Sequence, residues 1–240
     1  MNLSKLFILF TFFTSCSNQP TDNRILEFEK ILGRENIETL NYLVSDFEND
    51  YLKNQYPTLK TEDAYLKFLN NLLEDKILNW GNYYKKNKEF FNKSQLIKEL
   101  YRFPDSVWII ENSNFDKVED DSIALLYSKT PYIKMRYKEL NENEDFEYYY
   151  SRLYTDIKPN TNYDSIINST YKRAEFNGAG KYIQALFAIK DTDTFTNKYF
   201  DVKQNGGILP LKFFIKGALS LDPNFNDYFH KRIVLLEVVY

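Results

Sequence analysis

An all-α fold, a multi-helix bundle or irregular helical array, is what the sequence predicts, and three observations predict it. Breakers are few: 240 residues hold only seven Gly and seven Pro, too few for the many turns of a sandwich or barrel. Bulky side chains are many, with 20 Tyr and 20 Phe. Apolar residues also recur at helical spacing through most of the chain. A hydrophobic content of 43% can fill an ordinary core, and no shift in composition divides it. One helical domain over 24–240 is expected.

Ile25, Phe28 and Leu32 mark a first short amphipathic helix, with Gly33 as its stop. Ile37, Leu40, Val44, Phe47 and Tyr51 then fall on a single helical stripe, the clearest in the chain. After Pro57, Thr61 offers an N-cap, Glu62 and Asp63 suit the positive helix end, and Leu66, Leu69, Leu73 and Ile77 continue the inward face. Gly81 closes that segment, and Tyr83 to Phe91 reads as a Lys- and Asn-rich connection with exposed aromatics. Ser94 offers a cap for a short helix ending before Pro104.

Between 105 and 140 the pattern changes. Val107 to Ile110 is a continuous apolar run, and Ile133, Met135 and Tyr137 alternate with Lys134, Arg136 and Lys138. Alternation argues for a strand, so a short β-hairpin near 105–140 is admitted, although Ile133, Tyr137 and Leu140 also fit a helix. Helix is expected again through Phe146, Tyr150, Leu153 and Ile157, around Tyr163 to Phe176, and through Tyr182, Leu186 and Ile189. Asp193 or Thr194 caps the next helix, carrying Phe195, Tyr199 and Val202 and ended by Gly206 and Gly207. Pro210 fits a first turn, Asp222-Pro223 ends that helix, and Phe229, Ile233, Leu236 and Tyr240 form the last stripe.

The amino-terminal residues carry a different message. Lys5 precedes an apolar stretch from Leu6 to Phe13, and small Thr14 and Ser15 lead into Cys16, the lone cysteine. That is the layout of an export signal, and the stretch is well short of the roughly 20 residues that span a bilayer. Phe13-Thr14-Ser15-Cys16 resembles the lipobox of bacterial lipoproteins, with Phe13 standing where that family usually has Leu. The resemblance covers about the first sixteen residues. It implies cleavage of a signal peptide over 1–15, acylation of Cys16, and a lipidated tether over 16–23 that includes Pro20. An acylated Cys16 is neither a disulfide partner nor a nucleophile nor a metal ligand. Acyl chains on Cys16 would hold the protein to a membrane outside the cytoplasm. Ser17 is not the Asp that retains many such proteins at the inner membrane, which leans toward the outer membrane.

Chemistry-bearing patterns are sparse. The formal charge is −3, from 31 basic and 34 acidic residues in short alternating blocks, which gives no sustained basic face for nucleic acid. Gly178-Ala179-Gly180-Lys181 looks like a phosphate cradle but lacks the spaced glycine and the following Ser or Thr. His230 is the one histidine, so a two-histidine metal site is excluded and structural placement is favoured over acid/base work. Asp191-x-Asp193 opens like a calcium loop yet continues as a helix cap. No G-x-S-x-G elbow is present. Catalytic residues, cofactor-binding residues and metal ligands are therefore expected to be none.

Asp105-Ser106-Val107, Asp121-Ser122-Ile123 and Asp164-Ser165-Ile166 look like the short acceptor pattern of a bacterial O-glycosylation system, and equally like helix caps. Gly217 to Asn224 resembles the closing part of a tetratricopeptide repeat, with Ala185-Leu186 about one period earlier. Three function classes stay open. The first is a non-catalytic, lipid-anchored accessory or scaffold domain with an envelope protein partner. The second is a glycan- or peptide-binding lipoprotein presenting rings such as Trp80, Tyr83 and Tyr84 or Tyr148 to Tyr150. The third is a carboxylate-based hydrolase drawing on acids such as Glu119 to Asp121 or Glu142 to Glu147.

Overall fold

The computed structural model describes residues 22–76, 80–111, 131–140, 145–154 and 162–239, with the backbone alone described at 80–82, 84 and 140. The expected signal peptide, Cys16 and the tether up to residue 21 lie outside the described residues, as do Ile77, Glu119 to Ser122, Glu142, Ile157 and Tyr240. The side chains of Trp80 and Tyr84 lie outside them as well.

The fold is mainly helical with two small sheets, so all-α is approximate. Helix α1 (Asn23–Leu32) starts where the Asp22 carboxylate accepts the Arg24 N–H at 2.9 Å. Gly33 ends it with φ +85°, a conformation that costs a glycine nothing. Helix α2 (Arg34–Asp46) runs on through a π-helical stretch (Phe47–Leu52) into the short α3 (Lys53–Gln55). All five stripe residues from Ile37 to Tyr51 are buried, and the wider π turn lets Phe47, Tyr51 and Leu52 reach the core together.

Helix α4 (Thr61–Leu73) differs in detail from the expectation. Lys60 rather than Thr61 holds the cap position, without a side-chain bond. The buried face is Ala64, Tyr65, Phe68 and Leu69, while Leu66 and Leu73 pack at its margin. The expected connection over 83–91 is instead helix α5 (Trp80–Lys93), with Gly81 inside it. Tyr83 packs its ring against Phe47 and Tyr51, and Phe91 is buried, so tertiary contact overrides weak local propensity. Ser94 ends α5 by donating to the Phe91 carbonyl rather than capping α6 (Leu96–Leu100).

Strand β1 (Tyr101–Arg102) leaves the helical body and β5 (Glu175–Phe176) returns to it, paired antiparallel as a two-residue stem. Between them lie β2 (Ser106–Ile110), β3 (Tyr132–Leu140), β4 (Phe146–Tyr154) and α7 (Tyr163–Thr170). The three strands form an antiparallel sheet in the order β2-β3-β4. The alternation at 133–137 is thus a strand, paired antiparallel with β2 within the expected 105–140 stretch, and a second partner lies at 146–154, where helix had been expected. Aromatic residues crowd β4 and favour a pleated surface, which outweighs the i, i+4 match of Phe146 and Tyr150. Val107, Ile133, Met135 and Tyr137 form a separate small core under Ile166 and Ile167 of α7.

The rest is helical as expected: α8 (Lys181–Ile189), a 3-10 turn (Lys190–Thr192), α9 (Thr194–Gly206), α10 (Leu211–Ser220) and α11 (Tyr228–Val239). Helix α11 is buried nearly all round, not on one stripe, and is the centre of the main core. There the Lys203 ammonium of α9 meets the Glu237 carboxylate of α11 at 2.6 Å, with side chains 1% and 4% exposed. The Tyr199 hydroxyl donates to the same carboxylate at 2.7 Å. The rings of Tyr101 and Phe176, from the stem, lie 5.9 and 5.2 Å from the ammonium.

Removing one partner of such a pair strands a buried charge. Lys203→Met is expected to lower stability by about 3–5 kcal/mol, and the Lys203→Met, Glu237→Leu double variant to recover much of that loss in urea unfolding.

Candidate functional site

A strand sends alternate side chains to opposite faces, and on this sheet the two faces differ in kind. The inner face carries the small core. On the outer face the central strand β3 presents Lys134, Arg136 and Lys138 in succession. Strand β4 presents Phe146, Tyr148, Tyr150 and Arg152 beside them, and β2 adds Trp108 opposite Lys134. The rings are open to solvent: Trp108 is 38% exposed, Phe146 56%, Tyr148 48% and Tyr150 55%.

The cations and rings mesh diagonally. Lys138 lies 3.3 Å from the Phe146 ring centroid, Arg136 4.7 Å from Tyr148, and Lys134 4.6 Å from Tyr150. Each cation thus reaches the ring one step along from its direct cross-strand neighbour, and Arg152 of β4 follows the same diagonal with the strands exchanged, 5.6 Å from Tyr132 of β3. Arg136 is also held by Asp105 through two hydrogen bonds of 2.8 and 3.0 Å, and its guanidinium keeps the Asp105 carboxyl below the usual range. Cation–ring contacts of this kind are worth about 0.5–1 kcal/mol each when exposed.

The stem supports this face from behind. Tyr137 and Tyr149 stack on the inner side with centroids 4.9 Å apart, and Arg102 of β1 lies 4.7 Å from the Tyr149 ring. Arg102 also contacts both oxygens of Glu139 at 2.9 Å. Burial first, then Glu175, pushes the Tyr137 phenol well up, which keeps it protonated. Tyr148 and Tyr150 therefore belong to the exposed face, whereas Tyr149 and Tyr83 are packed inward.

The other sequence candidates resolve into structural roles. His230 accepts the Asn224 N–H at Nδ1, 3.0 Å away, so its proton sits on Nε2 and points to Asp193 Oδ1 at 3.0 Å. Asp193 is the cap of α9, accepting from the Thr196 N–H and hydroxyl. Gly180 does not cradle a phosphate: a Cβ there would stand 2.1 Å from the Glu99 carbonyl. The Glu99 carboxylate already takes the Lys181 N–H at the start of α8. Glu147 of the acidic run faces Glu139 across the hairpin beside Arg102. Ser106 opens β2, and Ser165 lies in the first turn of α7, capped by Asn162. Ala185 and Ala218 are buried, but Gly217, the small residue of the repeat-like segment, faces open space.

Among the described residues no group of three or more His, Cys, Asp or Glu is placed to hold a metal, and no helix is long and apolar enough to cross a membrane. A cleft of about 680 Å³ lies between the helical body and the stem, with Phe91, Tyr101 and Phe103 inside and Lys98 and Lys172 at its lining. No family model matches the chain, and neither the curated proteins nor the solved structures contain a match.

Burial pushes the Asp193 carboxyl up, but Thr196 and His230 outweigh it and hold the group below the usual carboxylate range. A depressed carboxylate stabilises the fold above its unfolded value near about 3.9 and loses that contribution as pH falls through the lower folded value. Asp193→Ala should cost about 1–2 kcal/mol at pH 7 through the lost cap. It should also remove part of the stability loss seen below about pH 4, both read from denaturant midpoints across pH.

Proposed function

We propose that this chain is a lipid-anchored, non-catalytic accessory protein of the cell envelope that holds an extended glycan on the outer face of its sheet. The observation that carries the ligand reading is the exposed array of Trp108, Phe146, Tyr148 and Tyr150 set among cations. Clusters of exposed rings on a monomer surface mark binding sites rather than ordinary surface. Rings offer flat apolar area to the C–H faces of sugars, and tyrosine hydroxyls and lysine ammonium groups offer donors to sugar oxygens.

The helical body, an irregular array in this reading, serves as the scaffold for that face. Export, acylation of Cys16 and residence at the outer membrane rest on the lipobox resemblance, and the tether would leave the sheet free to meet envelope polymers. A hydrolase is disfavoured because the cross-strand carboxylates Glu139 and Glu147 sit with Arg102, which engages Glu139 as an ion pair. A protein partner of the envelope remains the second reading, favoured by the apolar groove between α9 and α10, where Val202 and Phe213 are exposed.

Two measurements test the proposal. Intact mass and detergent-phase partitioning of protein from its native membrane should show loss of 1–15 plus acyl chains, and a Cys16→Ser variant should show neither. Affinity electrophoresis through gels containing envelope polysaccharide should show retardation, and Tyr148→Ala with Tyr150→Ala should weaken it about tenfold, from ring contacts worth on the order of 1 kcal/mol each. Unchanged retardation in the double variant would move the site elsewhere.

A further inference from the structure

Resting on the sheet-face reading above, we infer that the bound glycan is acidic, and that its negative groups run along β3 beside Lys134, Arg136 and Lys138. The whole chain carries a formal charge of −3, yet among the described residues this face gathers four cations, Lys134, Arg136, Lys138 and Arg152, and one paired carboxylate, Asp105. Positive charge is thus concentrated where the rings are exposed, against the sign of the molecule as a whole. Complementarity to a negative ligand follows.

The geometry narrows the class further. Residues two apart on a strand stand about 6.7 Å from one another, so the three β3 cations form a straight row spanning roughly 13 Å. A single small anion would use one step of that row. A chain with negative groups at regular intervals would use all of it, with the rings of β4 packed along its flank. Arg136 is shared with Asp105, whereas among the described residues no carboxylate forms an ion pair with Lys134, Lys138 or Arg152. A uronic acid polymer provides both carboxylates for these cations and C–H faces for Tyr148 and Tyr150. Single-stranded nucleic acid also joins regular charge to flat rings, so it is included among the probes below.

The test uses the full chain and three probes of similar length: polygalacturonate, neutral dextran and oligo(dT), titrated at about 0.05 and 0.5 M salt. Polygalacturonate should bind at least tenfold tighter than dextran, and the preference should shrink at high salt. Lys134→Gln, Lys138→Gln and Arg152→Gln together should weaken polygalacturonate about tenfold, from three exposed pairs of modest strength. Circular dichroism and the urea midpoint of that variant check that it folds. The variant should lose less affinity for dextran than for polygalacturonate. Equal binding of dextran and polygalacturonate by the parent would overturn the acidic assignment while leaving the ring-based glycan site standing. Tighter binding of oligo(dT) than of either glycan would overturn the ligand class, and binding of none of the three would overturn the site itself.

Discussion

The contact between Lys203 and Glu237 ties two core helices to the stem from which the sheet projects. It lies where α9 crosses the largely buried α11, and two charges in that place are tolerable only when they meet. The same ammonium is flanked by Tyr101 and Phe176, the residues that face each other across the stem. One cation therefore fixes the seating of two core helices and also the point where the chain leaves and re-enters the helical body. Tyr199 completes the arrangement by donating to the carboxylate, and burial followed by the charge of Glu237 pushes its phenol well up, so it stays a donor. Apolar side chains could fill the same volume, but they would leave the stem no directional anchor.

Arg102 passes that anchoring outward. Paired with Glu175 across the stem, it reaches Glu139 of β3 and lies over Tyr149 of β4. Tyr149 stacks on Tyr137, and beneath them Met135, Ile133 and Val107 close against α7. The inner face of the sheet is thus filled by contacts that lead back to the helical core. Its outer face takes no part in that support. A surface whose scaffold is complete without it can carry exposed rings and cations without loss of fold.

How far this was legible depended on which physical term dominated each segment. Helices with an apolar stripe or a strong cap, such as α1, α2, α9 and α10, could be read directly, and Gly33 and Asp193 stand in the roles their types suggest. Helix α5 could not, because Tyr83 is held by the rings of Phe47 and Tyr51 in the π extension of α2, and Phe91 by burial in the core, rather than by local propensity. Strand β4 was hidden by coincidence: Phe146, Tyr150 and Leu153 satisfy a helical period, and only the partner strand decides between the two. The face itself had a visible signal, the Lys134-x-Arg136-x-Lys138 alternation. Charge blocks that look dispersed along a chain are collected on one side by a strand's period of two. His230 is the opposite case, where a lone histidine held by a backbone N–H and a capping carboxylate belongs to the architecture.

The mesh of rings and cations has a further physical consequence. Long flexible side chains lose rotamer freedom when a ligand holds them, at roughly 0.5–1.5 kcal/mol each. On this face part of that ordering is already present, since Lys138, Arg136 and Lys134 each rest on a ring and Asp105 steadies the middle cation. The rings in turn stand on a sheet with a filled inner side. A ligand arriving here meets charges whose positions are largely set, and the cost of binding falls on the ligand's own flexibility. Stiff, regularly charged chains would lose least on such a surface, so in the proposed role the rigidity of the face would select the stiffness of a ligand as well as its sign.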